Sequence, residues 1–384
     1  MTLDAGAATD VDAAVAALRT TGAVRSRSAH LLDRARAGDS RWFAVHDDVL
    51  HAAADEVADV TRSRYPDLDI PYHSRWRHFE VGGVDRRAEL DALLVGADGG
   101  ERARAMIDLT VISVLLDAGA GADWGFVERR GDTAPRFTRS EGLAVASWHG
   151  FVSGAFSSDA ERPLQVDAAA LRVLTEDRLA GVLQAGPGNP LVGLAGRVQL
   201  LRALGDALAA QPEVFGGAGR PGGLFDALAA SAGSVDAHHI LTQLLTSLSP
   251  IWPSSNTIGV HRLGDCWRHD AVPGPGLTAG WLPLHKLSQW LTYSLIEPFE
   301  WAGVAVTGVD SLTGLPEYRN GGLLLEAGVL SLRDPGWAAR TWGPADELVV
   351  EWRALTVALL DDLAPLVRTR LGGDADRMPL ACVL

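Results

Sequence analysis

The sequence predicts a mainly α-helical fold, on two observations: apolar residues recur with a spacing near 3.6 through most of the chain, and strand-type alternation is almost absent. With 384 residues, 47% of them apolar, there is material for one large or two ordinary domains with a filled core. No repeat, low-complexity linker or shift of composition divides the chain. The expectation is therefore a single helical domain over 1–384 with loop insertions and at most a small β element. Residues 1–80 would supply N-terminal helices and an aromatic connector, and 81–384 the core that carries the chemistry.

Val11 to Arg19 and Arg25 to Ala37 read as short helices, the second stopped by Gly38, and Asp47 to Ser63 as a longer one stopped before Pro66. The connector Tyr72-His73-Ser74-Arg75-Trp76-Arg77-His78-Phe79 follows, then helices from about Arg87 to Val95 and from Glu101 to Asp117. The latter is apolar nearly all round, which places it at the centre of a core. Helices Glu141 to Phe151, Ala168 to Leu174, Glu176 to Gln184 and Leu191 to Ala210 come next, with Gly186-Pro187-Gly188-Asn189-Pro190 as a turn. Ser234 is expected to cap a helical segment through Leu248. Ser249 to Gly280 reads as a long, proline-bearing connection, and such loops are more often functional than idle. Leu284 to Glu297 reads as a helix stopped by Pro298, Val304-Ala305-Val306 as a short strand, and Gly321 to Val329 as a short helix. A final helix, Glu347 to Leu371, is expected to be capped by Asp346 and kinked at Pro365. The two long apolar helices are expected to pack with the segments from Ser234 and Leu284 in one body.

A net charge of -14, from 48 acidic against 34 basic side chains, opposes the field of a nucleic acid or an acidic membrane, so neither partner is expected. Any bound phosphate should be small and held by a few local cations. Cys266 and Cys382 stand far apart, which indicates neither a disulfide scaffold nor a zinc site and makes a reducing cytosol the natural compartment. Met1 to Asp12 lacks the basic start and apolar stretch of a secretory signal, and Val111 to Leu116 is too short to span a bilayer. The sequence ends on the apolar run Leu380 to Leu384.

The common nucleotide and zinc-protease signatures are missing, and His238, His239, His261, His269 and His285 fall at no recognised ligand spacing, so no cofactor and no metal are expected. The informative stretch is the last third. His261 to His269 puts Asp265, Trp267, Arg268 and two imidazoles on a Gly-containing loop; Lys286 and Gln289 share one face of the helix that follows; and Leu312 to Gly322 holds Glu317, Tyr318, Arg319 and Asn320 between glycines and prolines. Singly, a loop Asp is more often a turn former, a loop Arg is usually solvated, and Trp252, Trp267 and Trp290 suit a core. Together they make an acid, stacking aromatics and phosphate-type donors, which fits a ligand combining a phosphate with a planar polar head.

At these residues the chain resembles the Urc/Urg family of uracil catabolism over nearly its whole length. The most specific parts are Leu109 to Gly121, Ser140-Glu141-Gly142-Leu143, Leu248-Ser249-Pro250-Ile251-Trp252-Pro253, Gly264-Asp265-Cys266-Trp267-Arg268, Lys286 to Leu291 and Leu312 to Gly322. The resemblance implies a step in the route that activates uracil to a nucleotide, opens the ring, and ends with urea and a three-carbon acid. It also implies association with other enzymes of that route. A more distant likeness concerns the order of Lys286 and Gln289, Asp310 and Leu312, Glu317-Tyr318-Arg319, Gly328-Val329-Leu330 and Glu351-Trp352-Arg353-Ala354. It is similar to the queuosine-5'-phosphate N-glycosylases, which are mostly helical, use no metal and release a base from a ribose phosphate. That family carries an aspartate before the Lys-x-x-Gln helix, where Ile251-Trp252-Pro253-Ser254-Ser255 has no carboxylate; Asp265 is the nearest acid downstream. At the Tyr-Arg motif the glycosylases usually have aspartate, and this chain has Glu317.

These resemblances imply hydrolysis of the N-ribosidic bond of a ribosylurea or its 5'-phosphate, a small-molecule substrate. Asp265 is expected to face the developing ribosyl cation or activate water, Glu317 to take the urea N–H groups, Tyr318 its carbonyl, and Lys286, with Arg319 or Arg268, the phosphate. Gln289, Trp267, Trp124 and His73 complete the expected substrate-binding set, with Trp267 and Trp124 as pocket walls. A carboxylate about 4 Å from a cation contributes roughly 4 kcal/mol at an effective dielectric near 20, short of the roughly 8 to 23 kcal/mol an enzyme supplies, so positioning and proton donation are needed as well. The alternatives are an amidohydrolase that cuts the ureido or acyl C–N bond, and a non-catalytic partner of the ring-opening enzyme. Exhaustive chelation should leave turnover unchanged, and loss of activity restored by one added metal would contradict the metal-free expectation.

Overall fold

A computed structural model of the chain describes residues 5–229 and 233–383, so Met1–Asp4 and Leu384 of the terminal readings lie outside the described residues. Helices dominate, and every described sheet is a two-stranded pair. Contacts divide the chain into two compact units, each discontinuous in sequence. One comprises 1–72, 254–290 and 308–384, the other 73–253 and 291–307. The first break falls at Tyr72–His73, inside the aromatic connector. The two long apolar helices belong to different units, one in each.

In the first unit the terminal helix Glu347–Leu371 is the central element. Val350, Leu355, Val357, Leu359, Leu360, Leu363 and Val367 are wholly buried and pack against Thr21–Arg36 and Leu50–Arg64. Thr20 caps the first of these partners by accepting from Ala23 N, and Gly372, at φ 73°, ends the terminal helix in the left-handed conformation that costs glycine least. Leu380 and Val383 join the same core. Arg25, on Thr21–Arg36, donates to the carbonyls of Ser311 and Leu312 at 2.7 and 2.6 Å and so fixes the loop that leads to Thr313. Phe43–Val45 pairs antiparallel with Leu330–Leu332.

The connection expected from Ser249 to Gly280 is mostly irregular but carries short strands. Thr257–Ile258 pairs with His261–Arg262, and Cys266–Arg268 pairs with Trp281–Pro283, both antiparallel. Strands of two or three residues carry too little alternation to be read from the chain.

In the second unit Gly99–Leu116 is buried at every position from Ala105 onward. Its Asp108, fully enclosed, accepts from Arg220 and from the backbone N–H of Val166 and Gly222; burial raises its pKa to about 6 despite those partners. Ser234 begins a strand, Ser234–Asp236, parallel to Ala305–Thr307, and Asp236 rather than Ser234 caps the helix Ala237–Ser247. Pro298 does not stop its helix, which runs Lys286–Trp301. The carbonyl that a proline at 298 cannot bond, that of Ser294, accepts from Trp76 Nε1 at 3.1 Å, so the missing backbone bond leaves no orphan.

Leu355→Ala removes a wholly buried side chain from the centre of the first unit, and should lower the unfolding free energy by about 2–5 kcal/mol in urea titrations; a change below about 1 kcal/mol would contradict the central place given to the terminal helix.

Candidate functional site

Asp265 enters the site through Gly264, whose φ of 64° turns the chain from the His261–Arg262 strand into Cys266–Arg268. Strand alternation then directs Asp265 and Trp267 to one face and Cys266 and Arg268 to the other. On its face, the Asp265 carboxylate accepts from Arg353 Nη1 at 2.8 Å and Nη2 at 2.7 Å, from Trp267 Nε1 at 2.6 Å and from Lys286 N at 2.8 Å. Its own carbonyl accepts from the N–H groups of Leu284 and His285. Burial by itself would raise this carboxyl, but the Arg353 guanidinium and the two further donors hold it well below the usual carboxylate range. Both oxygens are thus occupied. Such a carboxylate acts as a bracket that sets where the Lys286 helix begins.

Arg353 reaches a third element, donating from Nε to the carbonyl of Pro316 at 3.3 Å, one residue before Glu317. Its neighbours on the terminal helix brace the same region. Trp352 Nε1 donates to the carbonyl of Gly321, where a Cβ would stand 2.7 Å from the indole, so only glycine permits this approach. Glu351 is buried against Ser40 Oγ and against His269 Nε2 at 2.9 Å. Because Ala271 N donates to His269 Nδ1, the ring proton lies on Nε2 and points at Glu351.

Lys286 Nζ stands 3.5 Å from Glu317 Oε2 and 5.7 Å from the centre of the Trp290 ring, one helical turn on. Glu317 occupies the cap position of the helix Tyr318–Glu326, yet its side chain makes no capping bond and turns to Lys286 instead. These two side chains, 30% and 14% exposed, form the reachable charged pair of the site.

The remaining expected residues are distributed otherwise. Gln289 is wholly buried; its amide donates to Leu284 O and Thr313 Oγ1 and accepts from Thr313 N, tying the helix to the Thr313 segment and leaving no edge for a ligand. Arg268, on the opposite strand face from Asp265, lies 3.8 Å over the Trp281 ring and donates to Ala279 O. Tyr318 is 70% exposed, and Arg319 is exposed beside it, 5.7 Å from its ring. Trp124 and His73 belong to the other unit, and Trp124 is fully buried with its Nε1 bonded to Leu183 O, so it has no face to offer a pocket. Cys266 is wholly buried, and burial with the neighbouring Asp265 charge pushes its thiol upward, away from the thiolate a nucleophile needs. His285, at the positive φ of 48°, is buried and bonded to Leu18 O, and burial lowers its pKa. Among the described residues no group of three or more His, Cys, Asp or Glu side chains gathers as a metal ion would need, and no helix is long and apolar enough to cross a membrane.

The residue that sequence reasoning left out of the site is Arg353. Its signal was the Glu351-Trp352-Arg353-Ala354 order itself: the only charged residues between Leu348 and Leu360 of a helix that is central to a core.

Residues 17–384 match the family described as Protein of unknown function (DUF1688). The chain is 39% identical over 366 residues to "Protein urg3" of Schizosaccharomyces pombe, an alignment that covers 93% of this chain and 87% of that protein. It is 37% identical over 401 residues to "Uracil catabolism protein 4" of Lachancea kluyveri, covering 95% and 90% respectively.

The bracket makes a pH prediction. A carboxyl whose folded pKa is depressed adds stability above its unfolded value, near 4, and loses it as pH falls toward the folded value. Wild-type protein should therefore lose more stability between about pH 4 and pH 2.5 than Asp265→Asn, measured as urea midpoints at each pH. Equal losses in the two proteins would count against the bracket.

Proposed function

This chain belongs to the DUF1688 family, and on that premise we propose that it serves uracil catabolism as a hydrolase that cleaves the N-ribosidic bond of a ribosylurea or its 5'-phosphate. The pathway comes from the names of the relatives. The reaction rests on one observation, the reachable Lys286–Glu317 pair at 3.5 Å beside the Trp290 ring, with Tyr318 and Arg319 next along the chain. A cation, an acid and exposed donors suit a substrate that has an anionic end and a planar head rich in N–H groups.

The C1'–N bond breaks, the electron pair leaves with the urea nitrogen, water oxygen bonds to C1', and the water's two protons are shared between the new hydroxyl and urea. Glu317 takes the role first expected of Asp265, because Asp265 already accepts from four donor atoms whereas the Glu317 carboxylate has a single loose partner among the described residues. It accepts the urea N–H groups and carries a proton between water and leaving group, as carboxylates do in glycoside hydrolysis. Lys286 holds the phosphate. Asp265 and Arg353 are positioning residues: they fix the backbone at Lys286 and at Pro316, and through these the distance between the two working side chains.

Glu317→Gln should reduce kcat by about 10²–10⁴-fold with little change in KM. Lys286→Ala should chiefly raise KM, and more for the phosphorylated substrate, because it removes a handle present in ground and transition states alike. Product analysis separates the classes: release of urea with a reducing ribose or ribose 5-phosphate supports the proposal, while a product that keeps nitrogen on C1' would establish the amidohydrolase. A chain that turns over neither substrate and instead binds the ring-opening enzyme would establish the partner reading.

A further inference from the structure

The aromatic connector is not used by the site above, and it lines a cavity of its own. Trp76, Arg77, Phe79, Glu80, Gly83, Val84, Asp85 and Arg87 surround a space of about 440 Å³ together with Glu297 and Trp301, all within the second unit. That is the size of a small metabolite. Its walls are held firmly. Arg86, wholly buried and paired with Glu128, donates to the carbonyls of Phe79 and Val81, and Trp76 meets Trp301 edge to face at 4.8 Å. Ser74 Oγ and Arg77 Nη2 donate to Glu297, each at 2.6 Å, and Arg77 Nη1 lies 2.8 Å from Glu80.

The charges select among ligands. Three carboxylates face two guanidiniums, so a phosphate or other polyanion meets no cationic excess. Arg77 already serves both Glu80 and Glu297, which leaves little free acid for a cationic ligand. Arg87 differs: its guanidinium lies 4.1 Å over the Trp301 ring, 45% exposed, and its nearest carboxylate, on Asp91, is 3.9 Å away, beyond hydrogen-bond range. Its N–H edge is open to a neutral acceptor. The same cavity offers a carboxylate acceptor on Asp85, which spends one oxygen capping Ala88 N. Donor and acceptor lining one aromatic-walled space match the alternating C=O and N–H edge of a planar ureide.

We infer that this cavity is a second small-molecule site, separate from the Lys286–Glu317 site, that takes a neutral planar ureide without phosphate, its carbonyl on Arg87 and its N–H on a carboxylate, packed against Trp301. The assignment is independent of the reaction proposed above.

Equilibrium dialysis of labelled uracil, a cyclic ureide, against the full chain tests it. Saturable binding is expected, persisting in Lys286→Ala, unaffected by excess inorganic phosphate, and weakened at least about fivefold in Arg87→Ala and in Trp301→Leu, in keeping with loss of a stacked cation or its ring. Arg87 is exposed, so its variant keeps the fold, as an unchanged thermal midpoint will verify, even where Trp301→Leu does not. Absence of saturable binding up to millimolar uracil, binding unchanged in Arg87→Ala, binding lost in Lys286→Ala, or displacement by phosphate would each overturn the inference.

Discussion

The paired hydrogen bonds from Arg353 to Asp265 are the interaction on which the candidate site depends. One guanidinium joins three stretches that are distant in sequence: the Asp265 turn, the start of the Lys286 helix through the Asp265 oxygen that receives Lys286 N, and the Pro316 carbonyl next to Glu317. A planar fork meeting a planar carboxylate fixes orientation as well as distance, which a lysine at 353 would not reproduce. The pair is only partly exposed, so removing one partner would leave the other poorly solvated and unmatched.

The terminal helix therefore does two things. Its apolar face makes the core of the first unit, and the consecutive residues Glu351, Trp352 and Arg353 hold His269 with Ser40, Gly321, and Asp265 with Pro316. A rigid scaffold of this kind leaves the side chains at the start of the Lys286 helix and in the Glu317 segment little freedom to lose on binding a ligand. Lys286 and Glu317 are held from behind but remain loosely paired with each other at 3.5 Å, which is the opening the proposed substrate would use.

Much of this was legible in the chain where one segment carries its own signal. Gly99–Leu116 and Glu347–Leu371 announce themselves because their apolar runs exceed any strand and end at breakers. The β pairs at Cys266–Arg268 and Trp281–Pro283 were hidden, since each strand is three residues long and its partner lies beyond a proline-rich turn. Pro298 misled in the usual direction: its effect on the helix depends on whether Ser294 O finds another donor, and Trp76, 218 residues away in the chain, supplies it. At the candidate site the hydrogen-bond partners of the singled-out residues were not readable. Asp265 and Gln289 looked like ligand contacts, and their hydrogen bonds to Arg353 and Thr313 could be known only from the fold. Arg353 was in view as part of a motif, but nothing local marks a helical arginine as the partner of an aspartate 88 positions earlier.

A double-mutant cycle on unfolding free energy, with Asp265→Asn, Arg353→Met and the double variant, tests the central claim most directly. If the two side chains form the bracket described, the single changes will overlap, with a coupling of at least about 1 kcal/mol between them. Additivity within about 0.3–0.5 kcal/mol would mean that the two act separately, and would contradict the account.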